Sequence, residues 1–339
     1  MELERLLNKK NLTREEIISL LELSDFSLTR RLFEKADDVR KLFCGDEVLL
    51  HGLIEISNNC TQECLYCGIQ KDNKELSRYR MTPDDIIETA KMISNLGIQT
   101  IELQSGSDPE FDADKISYII YNLKRNLDVT ITLSLGERSF EEYKTWKYAG
   151  ADKYLLKHQV ANPALYSTFH PKQNLKERIR HLEFLKSVGY QIGSGNIVGL
   201  PDQKIEDIAD DILLCKNLQV EIASFSPFVP SPYTIYKDRQ VGSVELTLKT
   251  IAIGRLVLTS SSLLATTALS TIDSLGREKA LRVGANVVLP NFTPRQLRDK
   301  YQVFPKAKNI IDDPIHGVNQ IQQILSSLGR KASSIKVNQ

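Results

Sequence analysis

Long apolar runs are missing from this 339-residue sequence. No stretch approaches the roughly 18 residues that span a bilayer, and the charged opening MELERLLNKK is not followed by the apolar core of a signal peptide. No membrane partner is expected, and the chain is expected to be cytoplasmic. Net charge is nearly absent as well: 44 lysines and arginines stand against 43 acidic residues. No overall field draws such a chain to nucleic acid, so none is expected as a partner. Cysteine is scarce, with five residues, an odd number. Three of them, Cys60, Cys64 and Cys67, fall within eight residues, which suits ligation by reduced thiols and not a disulfide framework. Low-complexity tracts and long linkers are missing between residues 51 and 300, so no second domain is expected there.

What is present is the balance of a globular chain, 41% hydrophobic and 26% charged. The first fifty residues read as helical, with Thr13 and Glu16 spaced as a capping box before IISLLEL. From His51 onward, short β-rich runs alternate with amphipathic helix patterns. The expected strands are LIEIS, TIELQSG, VTITLSLG, KYLLKH, QIGSGNIVG, IASFSPF, LLATTAL and NVVLP. Between the first two, TPDDIIETAKMISNLG carries Thr82 as cap, Pro83 in the first turn, Asp85 completing the box and Gly97 as the stop. A helix, a glycine and a strand recur at NLGIQTIEL, YAGADKYLL, SVGYQIGSG and RVGANVVLP. Eight such units predict an α/β fold, a (β/α)8 TIM-type barrel, with a doubly wound open sheet as the alternative. The expected organisation is a helical N-terminal extension over 1–50, the barrel over 51–301 and a C-terminal helical tail over 302–339. The tail holds VNQIQQILSSLG and a basic end, GRKASSIKVNQ, expected to fray.

The cysteines follow the first expected strand with the spacing C-x3-C-x2-C, and strand ends of a barrel open on its active face. Thiolates are the usual ligands of iron–sulfur clusters, and four close a [4Fe–4S] cube. Three leave one iron open to a small molecule, which points to chemistry and away from electron relay. Cys44 precedes the strand and Cys215 sits at an apolar position of DIADDILLCKNL, so both read as core cysteines. Structural zinc would want a second ligand pair, and the sequence offers none.

CTQECLYCG resembles the C-x3-C-x-Φ-C signature of radical S-adenosylmethionine enzymes, with Tyr66 as the aromatic. The phrases RYRMTPDDI, ELQSGSDP, TLSLGE, YLLKH, ANPALY, GLPDQ, ATTAL and GANVVLPNFTP extend the resemblance to the biotin-synthase-like subgroup and, within it, to the HydE family of [FeFe]-hydrogenase maturases. It implies one [4Fe–4S] cluster per chain on Cys60, Cys64 and Cys67, with S-adenosylmethionine chelating the open iron and yielding a 5'-deoxyadenosyl radical. It further implies a small-molecule or small metal-complex substrate and an electron donor such as flavodoxin or ferredoxin. By matching position, Tyr66, Ser105, Gly106, Thr132, Gln159 and Arg178 are expected around the cluster and the methionine moiety. Gly195 and Gly199 are expected near the adenine, and Tyr301, Thr266, Thr267, Lys157 and His158 at the cavity.

Read without the resemblance, Arg178 is a solvated helix arginine, the threonine pair is a good β-former, and the glycines serve turns and bulges. His158 is either a satisfied structural histidine or a site residue. Two positions depart from the family, which reads R-H-E where this chain has Lys157, His158 and Gln159. Lysine loses the planar fork that grips an anion twice, and glutamine has no charge for an ammonium. The departures point to a HydE-like paralogue with a substrate of its own. The stretch NIIDDPIHGVNQIQQ lacks the cysteines of a second cluster. The competing functions are a methylornithine synthase or biotin-synthase-like enzyme on a small metabolite, and a non-catalytic iron–sulfur carrier or scaffold.

Overall fold

The computed structural model of the protein describes residues 2–305 and 314–333. Eight parallel strands follow one another: β1 (Glu47–Ser57), β2 (Thr100–Ser105), β3 (Thr130–Ser134), β4 (Lys153–Leu155), β5 (Gln191–Ser194), β6 (Ile222–Ala223), β7 (Ser262–Leu263) and β8 (Val287–Val288). Each pairs with the next up to β7. Strand β8 pairs back onto β1 through Leu49–Val287 and Leu50–Val288, and a parallel bridge between Leu264 and Val287 joins the end of β7 to β8. The sheet therefore closes on itself, as a (β/α)8 barrel does and an open doubly wound sheet does not.

The repeated glycine has a physical cause. Gly97, Gly150, Gly189 and Gly284 all have positive φ, between 82° and 116°, so each lets the chain leave a helix and turn into the next strand without a Cβ clash. The capping residues act as their types predict. Thr13 and Glu16 form a capping box, and Thr82 caps Pro83–Asn95 by accepting from the Asp85 N–H.

Several expected strands are shorter or bent. QIGSGNIVG breaks at Gly195, and Ile197–Val198 pairs instead with Ser226–Pro227 outside the barrel. LLATTAL is a strand only at its start. Thr266 accepts from the Leu269 N–H and caps a helix, Thr267–Ile272, so local capping overrides β propensity there. The basic end is ordered at its beginning, where Lys331–Ala332 pairs with Glu47–Val48, while 334–339 lie outside the described residues. The tail helix spans Pro314–Ser327, and the N-terminal helices Arg14–Leu21 and Phe26–Cys44 lie against the barrel's outer helices, with Arg14 gripping Asp210 through two bonds.

The barrel interior has two unlike walls. Leu155, Ile222, Leu264 and Val287 form an apolar cluster on one side. Opposite, register aligns Glu55, Gln104 and Ser134 in one row and Glu102, Thr132 and Lys153 in the row below, towards the strand N-termini. Branched apolar residues usually fill such layers, so a polar wall calls for explanation.

Candidate functional site

Strand β1 delivers the chain to the C-terminal mouth, and the loop after it carries Cys60, Cys64 and Cys67. All three thiols are free and half-buried. The loop owes its shape to polar anchors. Asn58 donates to the carbonyls of Ser77 and Lys300, and the Arg78 guanidinium donates to those of Asn58, Ile69, Gln70 and Asn73. At Gly106 a Cβ would sit 2.3 Å from the Asn59 oxygen and 2.6 Å from the Cys60 Cβ, so only glycine lets β2 pass behind the loop. Tyr66 is buried, and its hydroxyl meets His170 Nε2 at 3.1 Å. Because His170 Nδ1 faces the Tyr166 carbonyl at 3.0 Å, it must carry the ring proton, leaving Nε2 to accept from Tyr66.

Burial raises the thiol pKa of all three cysteines, that of Cys64 to about 12. Such thiols ionise only when a bound metal compensates the lost hydration. Among the described residues, no three His, Cys, Asp or Glu side chains converge as they would on a single ion. A zinc knuckle wants a second ligand pair, whereas the corners of a cube present separate irons to separate thiolates of one loop. Cys44 approaches Arg255 and Thr259, and Cys215 is buried in the helix Ile205–Leu218. Neither lies on the loop that carries the other three thiols.

Below the loop lies a cavity of about 670 Å³, lined by residues from most of the strand ends. Tyr66, Ser105, Lys157, Gln159, Arg178, Thr266, Thr267 and Tyr301 all line it. Gln159 is held in a left-handed conformation, φ 68°, with its N–H on the Gly195 carbonyl, and its Oε1 is buried without a hydrogen-bond partner among the described residues. An acceptor stranded in this way fits a ligand ammonium. Gly136, also left-handed at φ 74°, leaves room at the wall where a Cβ would strike Ser107. Arg178 is buried, not solvated; it donates to Glu137 Oε1 at 2.5 Å and to the Lys157 carbonyl at 2.8 Å. Glu137 is held in turn by Gln173, whose Oε1 lies 3.6 Å from the Cys64 sulfur, so the arginine and the cysteine loop share one network. Lys157 donates to Ser226 Oγ at 2.6 Å, and burial pulls its pKa down to about 7.

Other expected site residues lie elsewhere. His158 is fully buried, bonded to Ser194 and 3.4 Å from Asp211, and does not line the cavity. Gly195 and Gly199 do not line it either. A Cβ on Gly195 would meet the Ser224 oxygen at 2.0 Å and one on Gly199 the Gly242 Cα at 2.7 Å, so both serve backbone packing, and Ile197 between them faces the cavity. Gly106 acts through the cysteine loop. Thr132 is fully buried, its Oγ1 unpartnered among the described residues. Sequence reasoning gave no role to Glu137, Arg78 or Arg277; the last lines the cavity with a buried Nε that has no hydrogen-bond partner among the described residues. The signals for Glu137 were its place directly after the glycine that ends VTITLSLG and its presence in the phrase TLSLGE.

A model of the Radical SAM superfamily matches residues 54–215. The [FeFe] hydrogenase maturase subunit HydE of Thermotoga maritima is 42% identical over 325 residues, covering 96% of this chain and 93% of that protein. The 3-methylornithine synthase of Methanosarcina acetivorans is 27% identical over 287 residues, 84% of this chain and 81% of that protein. Among solved structures, methylornithine synthase superposes with a TM-score of 0.86 over 98% of this chain and 97% of that one, at 23% identity, which is a likeness of fold.

Proposed function

The chain belongs to the radical S-adenosylmethionine superfamily and within it to the HydE family, and we propose that it is a HydE-type enzyme of hydrogenase-cofactor assembly. It is an enzyme that uses a [4Fe–4S] cluster and S-adenosylmethionine, with a small-molecule substrate and a reductant. The 42% identity over nearly the whole of both chains to the Thermotoga maritima protein carries the reading. Cys60, Cys64 and Cys67 would hold the cluster. When bound, cluster and cosubstrate supply one-electron reductive cleavage and a 5'-deoxyadenosyl radical.

The chain's own groups bind, orient and exclude water. The stranded Gln159 Oε1 accepts from the cosubstrate's ammonium. Arg178, its Nε taken by Glu137 and one Nη by Lys157, turns its remaining N–H groups to the carboxylate. Tyr66, fixed by His170, walls the site beneath the loop. Lys157, Thr266, Thr267 and Tyr301 receive the substrate, a small molecule or small metal complex, in the same cavity. Three free thiols suit a cytoplasmic enzyme served by flavodoxin or ferredoxin.

The test is replacement of an authentic HydE in a defined maturation reaction. Restored hydrogenase activity supports the assignment. A chain that releases 5'-deoxyadenosine but matures nothing would instead be a paralogue with its own substrate, a reading favoured by Lys157 standing where the family has arginine.

A further inference from the structure

The polar wall continues below the residues assigned to the cofactors. Glu102 lines the cavity floor from β2, is 1% exposed, and its Oε1 has no hydrogen-bond partner among the described residues. His51, two residues before the cavity-lining Leu53 on β1, brings Nδ1 to 3.9 Å from Glu102 Oε2, and neither ring nitrogen has a hydrogen-bond partner there. Thr132 aligns with Glu102 in the sheet and adds its unpartnered Oγ1. Lys153, aligned with Thr132, is only partly buried; Asp152, Glu221 and Glu102 act on its charge. Glu55, in the row above, is the other carboxylate facing the cavity.

Four unpartnered polar atoms therefore gather on two neighbouring rows of the barrel wall. Natural cores rarely leave such atoms unsatisfied without a use. The gap of 3.9 Å is longer than a hydrogen bond, as catalytic pairs often are before substrate closes on them. An imidazole behind a carboxylate that faces a reaction chamber is equipped to move protons.

We propose that Glu102 and His51 are a proton-transfer couple at the cavity floor. Glu102 exchanges a proton with the substrate on the side away from the cysteines. His51 is a positioning residue that restores the proton from the N-terminal mouth, past Lys153. The step moves one proton and no electrons: what the substrate gains, Glu102 loses, or the reverse. It rests on the cavity being the reaction chamber, as proposed above, and not on which substrate enters.

Cluster-loaded wild-type enzyme, Glu102→Gln, Glu102→Asp and His51→Ala are compared in two reactions: 5'-deoxyadenosine release with dithionite alone, and hydrogenase maturation. The expected result is cosubstrate cleavage within about twofold in every variant, with maturation about 100-fold slower in Glu102→Gln and His51→Ala. Glu102→Asp recovers part of the loss. Added imidazole revives His51→Ala, whereas pyrrole, which fills the same space without a basic nitrogen, does not. Unchanged maturation, equal rescue by pyrrole, or parallel loss of cosubstrate cleavage overturns the proposal. If the wild-type chain matures no hydrogenase, the HydE-type assignment fails by itself, and the couple is then read by 15N NMR of the five histidines. The resonance lost in His51→Ala must move in Glu102→Gln; an unmoved resonance overturns the couple.

Discussion

Replacing Lys157 with methionine, which keeps the unbranched apolar stem and drops the charged end, makes the protein more stable near neutral pH. Burial lowers the Lys157 pKa from 10.5 to about 7, and its one hydrogen-bond partner, Ser226, carries no charge. The unfolded chain takes up the proton as pH falls through 10.5, while the folded chain resists until about 7, so stability drops across that window and levels off below it. At about 1.4 kcal/mol per pH unit the ceiling is about 5 kcal/mol. Because the amine opens on the cavity and keeps some hydration, a gain of about 2 kcal/mol is expected for Lys157→Met at pH 7. Urea unfolding of the cluster-free protein at pH 7 and pH 10.5 measures it. The two proteins should differ at pH 7 and converge at pH 10.5. A variant less stable than wild type at pH 7, or a difference independent of pH, would refute the reasoning and remove the argument that Lys157 is kept for function at a cost to the fold.

Three further outcomes are expected. Gly106→Ala places a Cβ 2.3 Å from the Asn59 oxygen, so iron content after reconstitution should fall at least by about half while the far-ultraviolet circular dichroism stays unchanged. Gln159→Glu adds a charge facing the ammonium, and S-adenosylmethionine binding, measured by equilibrium dialysis, should tighten about tenfold. Burial, with Arg178 nearby, lowers the His170 pKa to about 3. As pH falls from 6.5 towards 3 the unfolded state gains a proton that the folded state refuses, so wild-type stability should decline by about 1.4 kcal/mol per unit from this group, and His170→Gln should remove that slope.

Much of the fold was legible because glycine, capping and alternation are local signals. The four glycines after helices predicted turns into strands, and each has the positive φ that this role demands. The misreadings arose where local chemistry competes with propensity. ATTAL has a β-former composition, yet the Thr266 hydroxyl is better used as a helix cap. QIGSGNIVG reads as one strand, yet the close pass of Ser224 at Gly195 bends it out of the barrel.

The candidate site was legible where spacing carries chemistry, in the cysteines, and illegible where partners come from distant elements. Nothing in LKERIRHL announces that Arg178 is buried against Glu137, 41 residues earlier. Glu102 sat inside a run read as a strand and His51 two residues before one, and only the register of a closed barrel turns both inward.

The central claim is that the three cysteines hold a cluster that S-adenosylmethionine completes. Anaerobic reconstitution, iron analysis and a dithionite-driven cleavage assay on wild type and Cys64→Ala test it most directly. The account predicts about four irons per chain and 5'-deoxyadenosine release in wild type, with both lost in the variant. Equal behaviour of the two proteins, or about eight irons per chain, would contradict it.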